Sequence, residues 1–136
     1  MAEWIEPKTD WVSSDRVNTR DYNRIIGNLT YLKAYLDTFY NGLTNVSLGE
    51  EKTIESPIYA REINNIETSL ERLNLETYRF DIGETKNYQT NERVIDYNEL
   101  NRIERAIWLL YYTMVVQQEN VTRLAFTLGG QKGIKV

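Results

Sequence analysis

The sequence predicts a mainly α fold: a three-helix bundle with an extended N-terminal arm and a short C-terminal β-strand. Three observations predict it. One pattern recurs three times: Tyr22-Asn23-Arg24-Ile25 with Leu29 and Leu32, Ile63-Asn64-Asn65-Ile66 with Leu70 and Leu73, and Leu100-Asn101-Arg102-Ile103 with Ile107 and Leu110. Apolar residues at steps of three and four trace one face of a helix. Cap signals precede each copy, and the two chain ends fall outside the helical period.

In chain order, residues 1–17 form an arm. Trp4, Ile5, Trp11 and Val12 stand among polar residues, and Pro7 blocks a continuous helix. Two tryptophans need cover, from the chain's own bundle or from a neighbour. Trp is enriched at binding hot spots, so Trp4 and Trp11 are candidate interface residues. A first helix is expected over 18–41, with Asn18 and Asp21 as a capping box and Val17 with Tyr22 as a hydrophobic staple. Residues 43–55 read as a loop or small hairpin. The second helix is expected over 56–77, with Ser56 as cap and Pro57 in the first turn. It sets Glu62, Glu67 and Glu71, with Arg61 and Arg72, on an outer side. Tyr78, Phe80 and Ile82 alternate with polar residues up to Gly83, a short strand signature. A polar loop around Tyr88 follows. Trp11 before the first helix and Tyr88 before the third suggest that the repeat includes its lead-in.

The third helix is expected over 96–120, with Asp96 and Glu99 as its box and Ile95 with Leu100 as its staple. From Ala106 to Val116 it is apolar nearly all round, which implies a central place in a bundle or cover by another subunit. Residues 121–136 form the tail, where Leu124, Phe126 and Leu128 share one face of an expected strand over 123–128. A lone strand must pair, with Tyr78–Ile82 or with another chain, so these three join the candidate interface. Domain organisation is therefore arm 1–17, bundle 18–120, tail 121–136. The recurring Asn23, Asn64 and Asn101 are expected to bond across helix interfaces, since Asn is a mediocre helix former.

Composition narrows the chemistry. The 136 residues contain neither Cys nor His, which removes disulfides, thiol nucleophiles, His-based triads and almost every zinc site. Sixteen basic against twenty acidic residues leave a net charge of −4, the wrong sign for a nucleic-acid binder. The apolar run of the third helix is too short to span a bilayer. Met1–Glu6 lacks the apolar segment of a signal peptide, so the chain is expected to remain in the cytoplasm after synthesis. The carboxylate pairs Asp96 and Glu99, Glu99 and Glu104, Glu67 and Glu71 read as caps or solvated faces. The Asp and Glu spacing is too sparse for a calcium loop. No catalytic, cofactor-binding or metal-ligating residue is therefore expected. Ten tyrosines suit half-buried and subunit-interface positions.

The stretch Pro7-Lys8-Thr9-Asp10-Trp11, Val17-Asn18 and Asp21-Tyr22-Asn23-Arg24-Ile25 through Asn28-Leu29-Thr30-Tyr31-Leu32 resembles small virion proteins of phages and prophages of Gram-positive bacteria. These are encoded among tail, baseplate and fibre genes. The closing Arg123-Leu124-Ala125-Phe126-Thr127-Leu128-Gly129-Gly130 resembles the end of such proteins. The resemblance implies a non-enzymatic structural subunit of a tail, at the tip, baseplate or fibre attachment. It would be assembled in the host cytoplasm and contact other tail or baseplate proteins. A homo-oligomer of three- or six-fold symmetry is expected, because phage tails offer such positions. A head–tail connector or neck protein, a cytoplasmic helical adaptor, and a carboxylate enzyme are the competing readings.

Overall fold

A computed structural model describes residues 3–40, 46–89 and 96–130, with residues 121–130 described by backbone alone. It contains three helices, α1 (Thr19–Leu36), α2 (Ala60–Leu75) and α3 (Tyr97–Gly130). No described residue is in a β-strand. Each helix begins four residues before its copy of the recurring Asn, so the three repeats start in phase.

All three helices run parallel. Near their N-termini, Arg24 of α1 bonds Glu104 of α3, and Arg102 of α3 bonds Glu67 of α2. Thr19, at the start of α1, exchanges hydrogen bonds with Ser56, just ahead of α2. At the opposite ends, the Tyr40 and Tyr78 rings that follow α1 and α2 meet edge to face, and the Tyr78 hydroxyl bonds Gln117 of α3. Parallel neighbours require long returning connections, and the described residues between the helices, 46–59 and 79–89, are non-helical segments that lie along the bundle.

Equivalent residues of the repeat form layers. Ile25, Ile66 and Ile103 occupy one, Leu29, Leu70 and Ile107 the next, and Leu32, Leu73 and Leu110 the third; all are 2% exposed or less. Their spacing is that of a parallel coiled-coil seam. Replacing Ile107 with alanine is expected to cost about 2–5 kcal/mol, read from urea unfolding; a loss below about 0.5 kcal/mol would place Ile107 outside the core.

Several boundaries differ from expectation. The α1 capping box forms: Asn18 accepts from the Asp21 N–H, and Asp21 accepts from the Asn18 N–H. Val17 packs on the core as the staple requires. The helix stops at Leu36, short of 41. The start of α2 lies at Ala60 rather than Ser56, because Ser56 is held by Thr19 and Glu62 accepts from the Tyr59 N–H instead. At α3 Asp96 caps the first turn by accepting from the Asn98 N–H, and the Glu99 carboxylate binds Arg102 and Lys86. Ile95 lies outside the described residues.

The largest correction concerns the tail. Residues 123–128 are not a strand; their backbone continues α3 to Gly130. Val121, Leu124 and Leu128 extend the same steps of three and four as Met114 and Gln117, so the segment fits either period. Extending an existing helix carries no nucleation cost. With 34 residues against 18 and 16, α3 is about 50 Å long and runs roughly 24 Å beyond its two neighbours. Residues 131–136 lie outside the described residues.

Candidate functional site

The recurring asparagines do not bond across helix interfaces. Each grips the backbone of a segment outside the helices, through both an N–H and a C=O. Asn101 accepts from the Trp11 N–H at 2.8 Å and donates to the Trp11 carbonyl at 3.0 Å. Asn64 holds Tyr88 at 2.6 and 2.9 Å, and Asn23 holds Lys52 at 2.7 and 2.8 Å. The order is cyclic: the lead-in to α1 lies on α3, the lead-in to α2 on α1, and the lead-in to α3 on α2. An amide side chain suits this task, since it offers an acceptor and a donor at the spacing of a backbone N–H and C=O. Asn28 and Asn74 make the same two-way contact with Ile5 and Phe80.

Three residues after the clamp, two repeats bury an acid. Glu104 is 0% exposed and accepts from Arg24 Nε and Nη2, both at 2.8 Å, from Trp11 Nε1 and from the Lys8 N–H. Glu67 is 1% exposed and accepts from Arg102 Nη2, the Tyr88 hydroxyl and the Lys86 N–H. These carboxylates are neither helix caps nor parts of a solvated face, as composition suggested. Each is sealed by an arginine standing one residue after the Asn of a neighbouring helix. In the third repeat the acid is replaced by Ile26 and the arginine by Asn65, and both line the same spot beside Gly49. The ion pair is thus absent from that repeat as a unit. Gly83 closes one side of the Glu67 pair: its φ of +83° suits glycine, and a Cβ there would sit 2.6 Å from Arg102 Cδ.

Such acids are poor candidates for proton transfer. Both are out of solvent, both are neutralised by a bidentate or chelating arginine, and every buried side-chain polar atom among the described residues has a hydrogen-bond partner. No group of three or more Asp or Glu could hold a metal ion among the described residues. A concavity of about 590 Å³ bordered by Glu71, Asn74, Phe80 and Glu84 is a shallow surface hollow.

Burial of two tyrosines between α2 and α3 ties that segment to the fold. Burial pushes the Tyr78 hydroxyl up to about 12, with the Tyr40 ring adding to it. Burial, then the Glu67 and Glu99 carboxylates, raises Tyr88 above the ordinary tyrosine range. A raised folded pKa contributes stability that is complete below the unfolded value near 10 and is lost as pH rises through the folded value. Helical circular dichroism is therefore expected to collapse above pH 10, together with a late step in tyrosinate absorbance. A single tyrosine titration near 10 with helicity intact would contradict this.

The sequence-predicted interface residues are placed as follows. Trp11 is buried in the chain's own core, and Trp4 stacks on Tyr111 of α3 with ring centroids 3.7 Å apart. The arm therefore folds over its own bundle. Leu124, Phe126 and Leu128 lie on the last part of α3, where only the backbone is described. Of the two places the sequence left open for the apolar stretch of α3, central in the bundle or covered by another subunit, its outer face excludes the first. Trp108, Tyr112 and Val116 are 40%, 55% and 38% exposed, so the all-round apolar stretch is not central in the bundle. No described helix is long and apolar enough to cross a membrane. Comparison with known proteins finds no family model, no curated protein and no solved structure that matches the chain.

Proposed function

We propose that the chain is a non-enzymatic structural subunit of a phage or phage-like tail, working through assembly contacts at the tip, baseplate or fibre attachment. The resemblance over residues 7–32 supports the setting. Within that stretch, Asn18 caps α1 with Asp21 completing the box, Asn23 clamps Lys52 and Arg24 neutralises Glu104, so its most distinctive residues serve the fold and leave no catalytic set behind. The observation that carries the reading is α3, which runs roughly 24 Å beyond its two neighbours and turns large aromatic side chains to solvent. A protruding helix with an apolar outer face is suited to docking on other subunits.

Quantitative mass spectrometry of purified particles tests it. The chain is expected at a fixed ratio to the tail proteins. Recovery only from the particle-free lysate of producing cells would overturn the reading.

A further inference from the structure

The exposed face of α3 is a second seam. Arg105, Trp108, Tyr112, Val116 and Glu119, all exposed, follow one another at steps of three and four, the period of a helix-pairing stripe. They lie nearly opposite Ile103, Ile107, Leu110 and Met114, which face the chain's own core. Trp108 and Tyr112 stack on each other with ring centroids 5.2 Å apart, which fixes them in place before any partner arrives. The two ends of the stripe carry opposite charges. Arg105 and Glu119 are both exposed, and neither joins an ion pair among the described residues.

This stripe complements itself in one direction only. Tyr112 stands midway between Arg105 and Glu119. Turned about a two-fold axis at Tyr112, a second copy brings its Glu119 to Arg105 and its Val116 to Trp108. A parallel copy would instead set arginine against arginine and glutamate against glutamate. We propose that the outer face of α3 pairs antiparallel with α3 of a second copy of this chain, with Tyr112 on the dyad and Arg105 and Glu119 exchanged across it. Both bundles then lie on the far sides of the helix pair, so they do not collide. The stripe from Arg105 to Glu119, about 21 Å of helix, is small beside an obligate interface, so the dimer depends on concentration. This contact is argued from α3 alone and stands whether or not the chain belongs to a tail.

Sedimentation equilibrium of the full chain, over a wide concentration range, tests it. The dyad repeats every contact, so one charge reversal spoils two pairs. Arg105→Glu and Glu119→Arg are each expected to raise the dimer dissociation constant about 10-fold. The double variant restores opposite charges and is expected to return to within about 3-fold of the unaltered chain. Circular dichroism should be unchanged in all three, since neither residue joins the core. A chain that stays monomeric up to about 1 mM, or a double variant as weak as either single one, would overturn the proposal. So would an oligomer of another order that ignores both reversals.

Discussion

Replacing Arg24 with alanine is expected to cost about 3–5 kcal/mol, because it leaves Glu104 charged and buried with its main partner gone. Glu104 is fully enclosed, and Arg24 supplies two of its hydrogen bonds at 2.8 Å. The loss is large against the total stability of a domain this size. The chain itself indicates the compensating change. Where the acid and arginine would stand in the third repeat, it has Ile26 and Asn65. The combined variant Arg24→Asn with Glu104→Ile is therefore expected to be more stable than Arg24→Ala. It still falls below the unaltered chain, since Trp11 Nε1 and the Lys8 N–H lose their acceptor. Urea unfolding measures all three; an Arg24→Ala cost below about 1 kcal/mol would mean that water takes the place of the guanidinium at Glu104.

Asn101→Ala is the second large effect. It strips partners from both the N–H and the carbonyl of Trp11, in a place closed to water. Each orphaned buried group costs about 1–3 kcal/mol, so a total of about 2–6 kcal/mol is expected. Asn23→Ala is expected to cost less, because its contact with Lys52 is only partly buried and water can replace the amide. Equal losses at the two sites, or a negligible loss at Asn101, would show that the clamps do not hold the arms.

Much of the helical frame was legible in the sequence. The nine apolar positions of the repeat fill the central layers because steps of three and four leave a helix little choice of face. The Asn18 and Asp21 cap forms because both partners are local. The clamps were visible only as a recurrence. Their targets are extended segments without period, and Trp11 lies 90 residues from Asn101. The buried acids escaped for a related reason: a Glu on a helix reads as solvated unless its arginine is known. The available signal was positional, since Glu67 and Glu104 each follow the recurring Asn by three residues, while Arg24 and Arg102 follow it by one. The tail was misread because Leu124, Phe126 and Leu128 alternate like a strand while Val121, Leu124 and Leu128 step like a helix. Local pattern does not separate these. The outer seam of α3 was masked by the apolar residues around it, which made the helix look enclosed.

The three Asn clamps hold the segments that lead into the helices onto the bundle, and they are the point on which the rest depends. Amide hydrogen exchange tests them most directly, residue by residue. The amides of Trp11, Lys52 and Tyr88 should exchange far more slowly than their extended neighbours, at rates approaching those of the helix cores. Exchange of all three at the rate of open loops would contradict the clamps and leave Asn23, Asn64 and Asn101 free for some other role.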